Sequence, residues 1–257
     1  MKVVFIGAGN VATNLATELH NQSFNIVQIY SRTIESAKTL ADKINTEYTI
    51  DIGKVTTDAD LYIFSVKDSI LQELASMLPT NNGIWIHTAG SMPFNIFENY
   101  SSQYGVIYPF QTFSKNKSID WKNIPIFIEA SDRSTLEKLN YIASTLSHHV
   151  QELSSEQRQY VHLTGVFACN FTNYMYTLSA EILKKANLEF DIALPLIDET
   201  CNKIHSLTPF DAQTGPAVRF DKNVMNKHLA LIEDEKIKEL YQLISEKIYE
   251  THKNKEL

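Results

Sequence analysis

Two cysteines in 257 residues, Cys169 and Cys201, show no C-x-x-C spacing. They provide no disulfide framework and fit a reducing compartment. No stretch approaches the roughly 18 unbroken apolar residues of a membrane span. Positive charge is also scarce: 23 Lys and Arg against 30 Asp and Glu give a net charge of −7. That balance argues against a broad nucleic-acid footprint, which is usually basic, while a local basic pocket for a phosphate remains open. His148, His149, His205, His228 and His252 have no metal-ligand spacing, so no metal site is expected. There is no G-x-S-x-G elbow and no Walker lysine loop, which speaks against α/β-hydrolase and P-loop chemistry. What is present is ordinary for a globular protein, 44% hydrophobic and 21% charged, and long enough for one large domain or two small ones. Lys2 followed by "VVFIGAGNVA" imitates a signal peptide, but Gly7, Gly9 and Asn10 interrupt a short apolar run. The segment reads as structure, and a cytoplasmic protein is expected.

Short apolar runs alternate with amphipathic stretches in the first half. "KVVFIG" (2–7), "NIVQIYS" (25–31), "ADLYIFSV" (59–66) and "GIWIHTAG" (83–90) read as buried strands. Helical spacing predicts helices from Asn10 to about His20, over 33–44, and over 68–78 before Pro79. "GVIYPFQTF" and "IPIFIEA" extend the same sheet as strands, with a helix over 132–146. The pattern predicts an α/β class: a doubly wound, mostly parallel Rossmann sheet with helices on both faces. From Ser154 the character changes. "SSEQ" (154–157) has capping-box spacing and opens a helical stretch to about Asn187, with further helices over 190–207 and 234–252. The second half therefore reads as all-α. We expect a dinucleotide-binding domain over 1–152 and a helical substrate or dimerisation domain over 153–257.

"FIGAGNVATNLA" (5–16) gives the strand–turn–helix context that a lone glycine pattern lacks. Gly7 permits a tight turn, Gly9 lets the backbone approach a pyrophosphate, and Ala12 allows close helix–strand packing. The helix opening at Asn10 and Val11 aims free N–H groups and its positive dipole end at phosphate. The plain alternative is a tight turn without a ligand. An NAD-selective site usually carries Asp or Glu at the end of the second strand. Here Ser31, Arg32 and Thr33 stand there. No carboxylate repels a 2′-phosphate, and these side chains can bind one, so the cofactor expected is NADP. Arg32 as a solvated surface charge is the competing reading.

The "FIGAGNVA" start, "YSRT", "HTAGSMP" (87–93), "YPFQTFS" (108–114) and "TGPAVRFD" (214–221) together resemble a group of bacterial NADP-oxidoreductase-like proteins. That group joins a Rossmann domain to a helical C-terminal domain of unassigned function. In outline it is similar to pyrroline-5-carboxylate reductase and the 3-hydroxyisobutyrate and 6-phosphogluconate dehydrogenases. The resemblance implies an oxidoreductase whose helical half, often dimeric, closes over the nicotinamide. Two departures are visible. Phe220 stands where the group often has glycine, and the lysine–asparagine pair of the hydroxyacid dehydrogenases is missing from "QYVHLTGVFACNFTNY" (159–174).

His162 and Asn170 are the reactive-looking polar residues of that helix. An α-helix would put them about two turns and roughly 80° apart. His162 suits a general acid because its ordinary pKa is near neutrality, and Asn170 can orient a substrate. A hydrogen-bonded core histidine and an interhelical asparagine are the bland alternatives. "HTAGS" follows a strand at the carboxyl edge of the sheet, so Thr88, Ala89, Gly90 and Ser91 are expected along the nicotinamide or substrate cleft, with His87 a strand-end residue. Ser65, Val66 and Lys67 should border the cofactor ribose, although Lys67 fits an ordinary solvated lysine as well. In the polar segment 208–221, Thr214, Arg219 and Asp221 are candidates. Arg219 can clamp a carboxylate or phosphate, or simply pair with Asp221. The function expected is NADP(H)-dependent hydride transfer to or from a small carbonyl, imine or hydroxyacid at the inter-domain cleft. The alternative is a non-catalytic dinucleotide sensor. Long helices in the second half suggest a homodimer; no nucleic-acid or membrane partner is expected.

Overall fold

The computed structural model describes residues 1–253. The chain forms two compact units, Met1–Tyr174 and one that begins at Met175. In chain order the first contains β1 (Lys2–Ile6), α1 (Asn10–Asn21), β2 (Asn25–Tyr30), α2 (Ile34–Ile44), β3 (Glu47–Thr49), β4 (Leu61–Phe64) and α3 (Asp68–Met77). There follow β5 (Ile84–His87), β6 (Tyr104–Pro109), β7 (Ile126–Ala130), α4 (Arg133–Leu146), β8 (Val150–Glu152) and α5 (Ser155–Gly165). The eight strands make one sheet, ordered β3-β2-β1-β4-β5-β6-β7-β8. All neighbours run parallel except β6 and β7. The fold is therefore the mostly parallel, Rossmann-like α/β fold that the strand–helix alternation predicts.

Period-2 alternation sends successive strand residues to opposite faces, and both faces are covered. Val3, Phe5, Leu61, Ile63 and Ile86 pack with Leu15 of α1, Leu40 of α2 and Ile142 of α4. Val4, Ile6, Tyr62, Phe64 and Trp85 pack with Leu71 and Leu74 of α3 and with Phe97. This is why the central strands read as unbroken apolar runs. Burying each such side chain contributes roughly 1.5–3 kcal/mol, and together they make the sheet a stiff base for the loops at its edge. The chain reverses its direction of travel across the sheet between β1 and β4. Loops leaving those two strands diverge there and open a crevice at the carboxyl edge.

In the sheet and the helix after it, three features depart from the sequence reading. β3 and β8 are three-residue edge strands, too short to show an alternating pattern. β6 stops at Pro109, and the Phe110 N–H donates to the Pro125 carbonyl instead of continuing the ladder along "QTF". The helix opened by the 154–157 box is not uniformly α. The box itself forms, with Ser154 Oγ accepting from the Gln157 N–H and Gln157 Oε1 accepting from the Ser154 N–H. Beyond α5, however, Val166–Phe171 is π-helical before α6 (Thr172–Lys185) resumes. The 80° separation expected between His162 and Asn170 does not apply, because the wider turn advances less per residue.

Within the second unit, the stretch expected as one helix over 190–207 divides into a 3-10 turn, Phe190–Ala193, and α7 (Leu194–Lys203). α8 (Lys222–Leu231), which the sequence pattern did not reveal, and α9 (Glu235–Lys253) follow. Asp221 caps α8 by accepting from the Val224 N–H. Phe220 adopts φ 51°, the left-handed conformation a glycine takes freely. Its ring stacks on Tyr249 at 4.4 Å between centroids, with Lys222 Nζ 5.0 Å above it, so aromatic contact offsets the backbone cost.

Candidate active site

A cavity of about 850 Å³ sits over the crevice, lined entirely by residues of the first unit. Its floor is the loop after β1. Gly7 has φ 120°, and a Cβ there would run into the Ser65 carbonyl, so the loops after β1 and β4 meet only because Gly7 has no side chain. A Cβ on Gly9 would touch nothing within 4 Å, which leaves the face toward the cavity open. Gly9 is also the N-cap of α1, supplies no capping side chain, and precedes a first turn without acidic residues. The leading N–H groups of α1, at Asn10 and Val11, thus lack intrahelical partners at the positive end of the dipole. An open cradle of this kind fits a pyrophosphate.

At the far end of the cavity, Ser31, Arg32, Thr33 and Ser36 cluster after β2. Among the described residues no carboxylate pairs with Arg32. The group presents a free guanidinium and three hydroxyls, which suits the 2′-phosphate of NADP. Ser65, Val66, Lys67, Thr88 and Ala89 continue the lining from the ends of β4 and β5.

The opposite wall comes from α5 and the π segment. His162, Gly165, Ala168, Cys169 and Asn170 face the cavity. His162 Nδ1 is 3.1 Å from the hydroxyl of Tyr108, at the end of β6. Burial pushes the Tyr108 phenol up to about 12 against the opposing pull of Arg158, so the hydroxyl stays protonated at neutral pH. Gly90 packs against His162: a Cβ there would come within 2.6 Å of Nδ1 and 2.8 Å of the His162 Cβ.

A buried polar network ties the 87–94 segment to α5. His87 is wholly buried, and its Nδ1 accepts from the Ala89 N–H while Nε2 donates to the Pro93 carbonyl. Those two bonds specify the neutral tautomer. Burial, assisted by Arg158, lowers the His87 pKa to about 3. Arg158, 1% exposed, donates to Glu129, to the Met92 carbonyl and to Ser155 Oγ. Ser155 in turn accepts from the Phe94 N–H and donates to Glu129. His87 is thus a structural member of the strand end, as its sequence position suggested.

Most residues singled out from sequence line this one cavity: Gly7, Gly9, Asn10, Val11, Ser31, Arg32, Thr33, Ser65, Val66, Lys67, Thr88, Ala89, Gly90, His162 and Asn170. Ser91 is not among the lining residues; its hydroxyl donates to Asp68, which is. Arg219 is exposed in the second unit and forms no ion pair with Asp221, whose carboxylate caps α8. Sequence reasoning missed Tyr108, Phe110 and Gln111 in the lining and the Glu129–Arg158 pair beneath it. The signal for Tyr108 was its place at the carboxyl end of a strand. For Arg158 it was a lone arginine one turn before His162. Among the described residues no group of three or more His, Cys, Asp or Glu is arranged to hold a metal, and no helix is long and apolar enough to cross a membrane.

Residues 2–86 match the family model for NADP oxidoreductase, coenzyme F420-dependent. Residues 124–248 match a domain of unknown function, DUF2520. No curated protein matches the sequence. Among solved structures, a "putative NADP oxidoreductase" from Bacteroides fragilis is 52% identical, with 97% of this chain and 98% of that one covered and a TM-score of 0.92. A Thermotoga maritima protein is 22% identical over 99% and 100% of the two chains, with a TM-score of 0.70. The 1-pyrroline-5-carboxylate reductase of Streptococcus pyogenes shares the fold at 16% identity and a TM-score of 0.63, over 99% and 98% of the two chains. With the dinucleotide cradle, the arginine-bearing strand end and a full-length relative in agreement, this chain belongs to the NADP oxidoreductase family, in the arrangement that carries a DUF2520 half.

Proposed function

We propose that the protein transfers hydride between NADP(H) and a small carbonyl, imine or hydroxyacid in the cavity at the carboxyl edge of the sheet. One observation carries this reading. The phosphate cradle, Arg32 and the polar His162 line a single cavity. NADPH, when bound, supplies the hydride. Asn10 and Val11 N–H groups would hold the pyrophosphate, and Ser31, Arg32 and Thr33 the 2′-phosphate. Ser65, Val66, Lys67, Thr88 and Ala89 would border the ribose and nicotinamide. His162 supplies or takes up the proton, directly or through a neighbouring group, and Asn170 orients the substrate. Membership of an oxidoreductase family favours a catalyst over a nucleotide sensor. The domains over 1–152 and 153–257 then divide the work between cofactor and substrate, since α5 and the π segment, which lie beyond residue 152, form the wall facing the cradle.

Arg32→Ala tests the cofactor assignment. Loss of a charge-assisted phosphate contact worth about 1.5–3 kcal/mol should weaken NADPH binding roughly 10- to 150-fold while NADH binding holds. Fluorescence titration of both nucleotides reads this directly, and an unchanged preference would sink it.

The second unit supports a homodimer. Ile182, Ile192, Leu196, Leu231 and Leu243 are each more than half exposed, while Ala217 and Met225 are the buried apolar residues among those described there. A second copy of the chain covering that apolar surface accounts for so thin a core. Light scattering should return the mass of two chains; a clean monomer at micromolar concentration refutes it.

A further inference from the structure

Tyr108 has no part in the reading above, yet it stands inside the cavity with its hydroxyl on His162. Its ring is held by Phe110 and Phe127, with centroids 6.3 and 6.4 Å away, and meets the His162 ring edge-on at 67°. The contact uses His162 Nδ1; among the described residues Nε2 has no hydrogen-bond partner, and the residue is exposed. The pair therefore ends at a ring nitrogen left open to water.

We propose that Tyr108 is a catalytic residue: its hydroxyl gives a proton to the oxygen of a carbonyl substrate, and His162 replaces that proton from solvent. The proposal rests on the oxidoreductase reading and narrows its substrate class to C=O compounds and their alcohols. Hydride addition forms a C–H bond at the carbonyl carbon and moves the C=O π pair onto oxygen. That oxygen takes the Tyr108 proton as the phenol O–H bond breaks. The phenolate takes the Nδ1 proton of His162 as Nε2, which has no protein partner among the described residues, takes one from solvent. Overall, NADPH provides the hydride, solvent provides one proton, and the alcohol and NADP+ are the products.

Charge in the cavity points the same way. With Arg32 matched by the 2′-phosphate, the rest of the lining carries Lys67 and Lys115 against the single carboxylate of Asp68, which already accepts a hydrogen bond from Ser91. That balance favours a developing alkoxide and disfavours a cationic iminium. An iminium that receives hydride becomes a neutral amine and needs no proton, so a proton-delivering pair would be idle there.

Tyr108→Phe tests the proposal with two kinds of readout. In the nucleotide-free protein, the ¹⁵N resonance of His162 Nδ1 should shift by several ppm; an unmoved resonance overturns the pairing. NADPH titration should give the wild-type affinity within about twofold, which establishes that the variant is folded. On a panel of aldehydes and 2-oxo acids the variant should lose about 10²–10⁴-fold in kcat. An N-methylated cyclic iminium salt should be a poor substrate for both proteins. Carbonyl turnover untouched by Tyr108→Phe, or a wild-type preference for the iminium salt, overturns the relay while leaving the oxidoreductase reading in place. A wild-type protein that binds NADPH and reduces none of the panel overturns that reading, and the relay with it.

Discussion

Arg158→Met should cost about 3–5 kcal/mol of folding stability, a loss large enough to lower a urea midpoint by a molar or more. The reason lies in what the arginine leaves behind. Its guanidinium is buried against Glu129, whose side chain is only 13% exposed, and against the Met92 carbonyl. Methionine matches much of the volume but donates nothing. A mostly buried carboxylate then keeps only the donors from Ser155, and a backbone carbonyl loses its partner. Adding Glu129→Gln should restore part of the loss by removing the uncompensated charge. Equilibrium unfolding of the single and double variants measures both quantities. A single-variant cost under about 1 kcal/mol would mean that the network does not hold the 87–94 segment to α5.

Gly90→Ala should leave the protein folded and lower its kcat by about 100-fold or more, an effect of the size that an ångström of misplacement produces. The new methyl group would lie 2.6 Å from His162 Nδ1, 2.7 Å from Cγ and 2.8 Å from Cβ. Turning the imidazole relieves the first two contacts but not the third, because Cβ is fixed to the α5 backbone. Helix or loop must therefore give way, and the 3.1 Å bond to Tyr108 is the interaction most exposed to the shift. NADPH affinity should change far less than turnover, since the cradle at Gly7 and Gly9 belongs to another loop. Steady-state kinetics beside a nucleotide titration separates the two; equal losses in both would show that Gly90 serves the cofactor rather than His162.

The sheet was legible because its central strands are buried on both faces. "VVFI", "LYIF" and "IWIH" carry that fact in their composition. The cofactor end was legible for a similar reason, because glycine spacing and a missing carboxylate after β2 are local signals. What stayed hidden was non-local. Gly90 and His162 meet across 72 residues of chain, as does Tyr108 with His162 across 54. Neither pairing leaves a mark on its own neighbourhood. Arg158 read as one more charge on a helix that the capping box made obvious. Its burial depends on β7 supplying Glu129 and on the 87–94 loop supplying a carbonyl. Edge strands of three residues are too brief to announce themselves. The π segment is invisible to any pattern that assumes one helical period.

A π turn, with its i→i+5 bonding, can be regarded as one surplus residue absorbed without breaking the rod. The surplus changes the bearing of the side chains within Val166–Phe171 relative to His162. Cys169 and Asn170 reach the cavity from inside this widened turn. Excising a single residue would restore the ordinary period and swing them off the wall by roughly a quarter turn. On this scaffold, a different set of groups facing the same nucleotide is one codon away.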